Sequence, residues 1–91
     1  MNNKTDFDIK YTKQAFKTLK GYDKRTRDFI RDKIYGLTEI PPKGDIKPME
    51  GSGTELRLRT GKYRVIFEYF NDRRPKVLMI NKIDARGGVY K

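Results

Sequence analysis

The 91-residue chain contains no cysteine and no histidine. Without cysteine there is no disulfide framework, no thiol nucleophile and no thiolate metal site. Without histidine there is no imidazole base and no Ser-His or Cys-His couple, and a zinc site is all but excluded. Neither a metal nor a small-molecule cofactor is expected. Long apolar runs are missing too. Val65-Ile66-Phe67 and Val77-Leu78-Met79-Ile80 are the longest, far short of the roughly 20 residues that cross a bilayer. Met1-Asn2-Asn3-Lys4-Thr5-Asp6 has no apolar segment behind it, so no signal peptide is expected. The expectation is a cytoplasmic protein with no membrane partner.

Acidic residues are scarce as well: 12 Asp and Glu stand against 22 Lys and Arg, a net charge of +10. Such a charge on so small a body attracts polyanions at long range and works against compaction. Both halves are basic, with 11 basic and seven acidic residues in 1–45 and 11 and five in 46–91. RNA, DNA, an anionic membrane surface and an acidic protein are the partner classes this leaves open. Five Phe and six Tyr supply enough burial for one small domain spanning 1–91, with residues 1–6 expected to fray.

Hydrophobic periodicity orders the chain. Phe7 to Tyr11 alternates as a half-buried strand does. Thr12 is placed to cap a short helix carrying Ala15, Phe16, Leu19 and Tyr22, and Gly21 is a plausible break. Asp23 caps a longer helix on which Ile30, Ile34 and Leu37 recur at i, i+4 and i+7, with Phe29 widening the stripe. Pro41-Pro42 ends it. Phe16, Phe29 and Tyr22 are assigned to the core, and Tyr35 to helix packing or partial exposure. Residues 41–53 have the composition of a connecting loop. Thr54 to Thr60, Tyr63 to Phe70 and Lys76 to Ile83 read as three meander strands, with turns at Gly61-Lys62 and at 71–75. Phe67 and Tyr69 fill core or edge positions. Asp84 to Lys91 is glycine-rich and reads as an irregular tail. The expected fold is α+β, in the order β-α-α-β-β-β, with an N-terminal helical hairpin packed on a mostly antiparallel twisted sheet.

A two-residue turn at Gly61-Lys62 fixes a register. Thr60 then pairs with Tyr63, Arg59 with Arg64, Leu58 with Val65 and Arg57 with Ile66. Cross-strand partners share a face, as do residues two apart. Glu55, Arg57, Arg59 and Arg64 therefore project from one side, and Leu56, Leu58, Val65 and Phe67 from the other. Like charges facing one another cost about 0.2–1 kcal/mol per pair. Three guanidinium groups gathered against that cost point to a phosphate-binding surface, since their planar forks suit phosphate oxygens. Solubility and edge protection are the plain alternative for a charged sheet face.

The run Leu56-Arg57-Leu58-Arg59-Thr60-Gly61-Lys62-Tyr63-Arg64-Val65-Ile66-Phe67 resembles the central strands of the RelE/ParE superfamily of toxins from toxin–antitoxin systems. Lys47-Pro48-Met49-Glu50-Gly51 resembles the approach loop, and Ile83-Asp84-Ala85-Arg86-Gly87-Gly88-Val89-Tyr90-Lys91 the C-terminal pattern of a basic residue followed by Val-Tyr. The likeness spans roughly residues 7–91. It implies a toxin held inactive by a cognate antitoxin that wraps around it. On the RelE-like branch, which the arginine-lined face and the Arg86–Tyr90 ending favour, it implies a metal-independent endoribonuclease that cleaves mRNA in the ribosomal A site. The ParE-like alternative is a poison of DNA gyrase, and a third reading is a relative that binds nucleic acid without catalysis.

Cleavage through the 2′-OH needs a base, cations for the charged phosphorane and an acid for the departing 5′-oxygen. An aromatic ring can stack the splayed base. The resemblance assigns Arg64 to the phosphate, with Arg57 and Arg59 assisting. It gives Arg86 a phosphate or leaving-group role and Tyr90 a stacking or proton-donor role. Lys62, Lys82 and Lys91 extend the RNA-binding charge. The base is the open position. Some relatives carry lysines where Glu55 and Arg57 stand, and others a histidine where Ala85 stands. Glu55 lies on the expected face and is the carboxylate candidate, with charge balance among the arginines as its plainer role. Lys82 and Glu50 are lesser candidates.

Overall fold

The computed structural model describes residues 7–51 and 53–85. Arg86, Tyr90 and Lys91, three of the expected site residues, lie outside that range. Among the described residues the chain forms β1 (Phe7–Tyr11), α1 (Lys13–Gly21), α2 (Lys24–Gly36), β2 (Asp45–Pro48), β3 (Leu56–Thr60), β4 (Tyr63–Phe70) and β5 (Lys76–Ala85). The strands make one sheet in the order β1-β5-β4-β3-β2. Every pairing is antiparallel except β1 with β5. This is the expected α+β arrangement of two helices on a mostly antiparallel sheet, with one strand more than the sequence showed.

Both helix starts follow from their caps. The Thr12 hydroxyl accepts from Ala15 N at 3.1 Å and donates to the Asn81 carbonyl at 2.9 Å. One side chain thus closes the first turn of α1 and fastens it to β5. Asp23 caps α2 by accepting from Thr26 N at 3.1 Å, and its carboxyl sits below the ordinary aspartate value, held there first by the Thr26 side chain and then by this backbone bond. Ala15 and Leu19 from α1 and Ile30, Ile34 and Leu37 from α2 meet Leu58, Val65, Phe67, Leu78, Ile80 and Ile83 in one core.

Two aromatic assignments are corrected. Phe16 is 52% exposed and Phe29 41%. Each sits next in sequence to a fully buried residue, Ala15 or Ile30, and one step along a helix turns the side chain by roughly 100°. Their rings lie beneath lysines one turn on, Lys20 at 5.6 Å and Lys33 at 5.4 Å. Tyr22 is half-buried, edge-on to Tyr63 at 5.4 Å. Phe67 is fully buried and Tyr69 donates from its hydroxyl to the Leu37 carbonyl at 2.7 Å.

The stretch 41–53 is also more ordered than a loop. Asp45–Pro48 pairs antiparallel with β3 and covers its free edge. Ile46 is the only apolar residue of β2 besides Pro48, so the segment shows little period of its own. α2 ends at Gly36, before Pro41-Pro42, and Lys43 N turns back to the Gly36 carbonyl at 3.0 Å. Strand β5 runs two residues beyond Ile83, which brings Asp84 and Ala85 out of the supposed tail and into the sheet.

Candidate functional site: a layered charged face on the sheet

The turn at Gly61-Lys62 has the expected form. Gly61 takes φ +59°, a conformation glycine adopts without steric cost, and Lys62 projects from the bend into solvent. The register is the one the turn demands: Arg57↔Ile66, Leu58↔Val65, Arg59↔Arg64 and Thr60↔Tyr63. Arg57, Arg59 and Arg64 therefore share the face turned away from the helices.

The neighbouring strands extend this face into rows. The first runs Asp45, Arg59, Arg64, Asp84 across four strands. It is balanced: Arg59 Nε lies 3.7 Å from Asp45, and Arg64 donates from Nε at 3.3 Å and from Nη2 at 3.5 Å to the two oxygens of Asp84. The second row is Lys47, Arg57, Ile66, Lys82. It holds three cations and no acid. Lys82 leans 3.7 Å toward Asp84 in the first row. Arg57 has no ion-pair partner among the described residues, and its Nε is buried without a hydrogen bond. A buried guanidinium N–H left unpaired is costly.

A third layer is acidic. A bulge between Ile66 and Phe67 pairs Ile66 with Lys82 and Phe67 with Ile80, leaving Asn81 as the extra residue. Bulges re-aim side chains in this way. The Asn81 amide donates to Glu55 at 2.7 Å and to Glu68 at 3.3 Å. Glu68 also accepts from the Thr54 hydroxyl. Glu55 thus stands on the arginine side, held by a neutral donor and not by a guanidinium. Chemically the face offers a cation strip for a phosphate, flanked by a carboxylate pair on one side and by arginines on the other.

Of the described residues named from sequence, the structure brings Glu55, Arg57, Arg59, Arg64 and Lys82 onto this one face, while Lys62 stays apart at the bend. Five members went unnoticed in the sequence: Asp45, Lys47, Glu68, Asn81 and Asp84. Asp84 was within reach, because continuing the alternation past Lys82 places it beside Arg64. Lys47 was not, since nothing local pairs β2 with β3.

Clefts lie around the helices as well. One, of 410 Å³, runs between α2 and the β3 edge and has mixed charge, with Asp32 and Glu39 against Lys33, Lys43 and Arg59. Another, of 300 Å³, lies among α1, α2 and β1, where Tyr11, Phe16 and Leu19 form an apolar floor rimmed by Lys20, Arg27 and Arg31. Among the described residues no three His, Cys, Asp or Glu side chains converge as a metal would require, and no helix is long and apolar enough to cross a membrane.

No family model matches the chain. Over 88 residues it is 33% identical to a Methanocaldococcus jannaschii protein assigned as toxin RelE1, covering 93% of this chain and 96% of that one. Its fold is similar to the RelE–RelB complex of Pyrococcus horikoshii, with a TM-score of 0.69, 30% identity, and 92% and 99% of the two chains covered. The isolated Escherichia coli RelE toxin superposes with a TM-score of 0.71 at 13% identity over 90% and 86%, a likeness of fold alone.

Proposed function

The chain belongs to the RelE toxin family, and on that premise we propose that it cleaves mRNA in the ribosomal A site without a metal and so arrests translation. The observation that carries this reading is the row Lys47–Arg57–Ile66–Lys82, which holds three cations and no acid of its own, lying beside the Glu55–Asn81–Glu68 layer. A scissile phosphate seated on that row accepts from Arg57, and Arg64 reaches it from the adjacent row. Glu55, next to the row, takes the proton of the 2′-OH. The 2′-oxygen attacks phosphorus, the P–O5′ bond breaks, and a 2′,3′-cyclic phosphate remains. Fixed guanidinium donors stabilise the charge that builds on the phosphorane oxygens. The proton for the departing 5′-oxygen falls to Tyr90 or Arg86 on the family resemblance. Positioning by the ribosome offsets the weakness of a carboxylate as base.

The partner that holds this activity in check is a cognate antitoxin, a reading supported by the likeness to a RelE–RelB complex from Pyrococcus horikoshii. The cleft between the helices fits a segment with one apolar and one acidic face, which would bury Phe16 and meet Lys20, Arg27 and Arg31. The toxin acts in the cytoplasm, where ribosomes and messages are.

The test is primer extension on a message translated in a purified system with and without the protein. Stops at A-site codons are expected, and Arg64→Ala and Arg57→Ala should remove them. Intact messages together with altered DNA supercoiling would replace this reading with gyrase poisoning.

A further inference from the structure

Asp84 stands where a substrate anion would. It lies directly opposite Arg64 on β5, and its two oxygens take the Nε and Nη2 edge of the guanidinium at 3.3 and 3.5 Å. Its Oδ2 also lies 3.7 Å from Lys82 Nζ. A carboxylate and a phosphate present the same pair of oxygens to an arginine fork. These contacts are long beside the 2.7–2.9 Å usual for charge-assisted bonds. The Arg64 and Asp84 side chains are 39% and 30% exposed, so solvent and ligand can reach the pair.

We propose that Asp84 is a built-in competitor for RNA: it occupies Arg64 and Lys82 in the free protein and yields both to an incoming phosphate. This rests on the reading of the face as an RNA site and adds how that site is regulated. The carboxylate keeps the guanidinium extended along the face and offsets the repulsion between Arg59 and Arg64, which face each other across β3 and β4. It also lowers the affinity of the free protein for any stray polyanion. A substrate positioned by other contacts displaces it; a loose RNA strand does so poorly. The device favours messages presented on the ribosome over free RNA.

The experiment is titration of a fluorescein-labelled 2′-O-methyl uridine decamer, which cannot be cleaved, at several salt concentrations. Asp84→Asn should tighten binding roughly twofold to fivefold at low salt, the range a single partly exposed ion pair covers. It should also steepen the slope of log K against log salt by about 0.7, the value of one further phosphate contact on a single strand. Asp84→Ala should do the same, and thermal melting confirms that each variant folds. Asp72→Asn makes the same charge change on the β4–β5 turn and should do much less. In an Arg64→Ala background Asp84→Asn should lose most of its gain. Unchanged or weaker binding, an equal gain from Asp72→Asn, or a full gain without Arg64 each overturns the proposal. The titration is independent of translation. A protein that binds as stated yet leaves messages whole defeats the cleavage reading alone. One that cuts messages while Asp84→Asn binds no better defeats this inference alone.

Discussion

Replacing Arg57 by methionine should strengthen the fold and weaken the activity at once. The stem of an arginine is aliphatic, and methionine keeps most of it. What goes is a buried Nε with no partner, a liability of about 1–3 kcal/mol. The direct cross-strand opposition of Arg57 and Lys47 goes too, worth about 0.2–1 kcal/mol. Against this stand the loss of a few solvent hydrogen bonds and the exposure of some apolar surface. A net gain of about 1 kcal/mol is expected, which for a domain of this size raises the melting midpoint by roughly 4–8 °C. RNA cleavage on the ribosome should fall by on the order of 10²–10³, as when one oxyanion donor is removed. The RNA-binding slope against salt should flatten by about 0.7. Calorimetry and primer extension on the same preparation read both effects. A lower melting midpoint would show that the guanidinium is satisfied and structural, and undiminished cleavage would show that the phosphate does not sit on its row. Either result refutes the argument from the unpaired nitrogen.

Burial holds the Tyr69 hydroxyl up to about 12, above the ordinary 10.0. The neutral form is the one the fold favours, so its contribution is complete below pH 10 and is lost as pH rises through about 12. Tyr69→Phe, which unpairs the Leu37 carbonyl, should cost about 0.5–1.5 kcal/mol at pH 7, and denaturant titrations should show that difference shrinking above pH 10. Thr12→Ala removes both the α1 cap and its bond to β5 and should cost about 1–2 kcal/mol, read as a lower denaturation midpoint. Phe16→Glu should change stability by no more than about 0.5 kcal/mol, because the ring is half exposed. It should weaken capture of the cognate antitoxin at least tenfold, as expected when a central aromatic anchor is lost; unaltered capture would place that partner elsewhere.

The parts legible in the sequence are those fixed by neighbours along the chain. Thr12 and Asp23 announce their caps within three residues. Gly61 fixes the β3–β4 register, and alternation then puts Arg57, Arg59 and Arg64 together. What was hidden depends on contacts between distant segments. β2 has almost no pattern of its own and exists because β3 offers an edge. The bulge at Asn81 emerges only when β4 and β5 are laid side by side, so the carboxylate layer it organises was out of sight. Phe16 and Phe29 show a different limit: an aromatic beside a helical stripe reads as part of it, yet short helices on a small sheet bury only the central line. Asp84 was lost to a strand boundary drawn two residues early.

The first strand of the described chain has a single neighbour, β5, which is the last. A growing polypeptide therefore releases Phe7–Tyr11 long before anything exists for it to pair with. Arg64 likewise emerges before Asp84 and Lys82, the residues that complete its surroundings. Vectorial synthesis can build α1, α2 and the β3–β4 hairpin early, but the sheet closes only when Lys76–Ala85 arrives. A chain halted before that point has neither a finished barrier on its core nor a finished charged face. Among the described residues, that order of assembly leaves the charged face incomplete until its final strand, β5, has emerged.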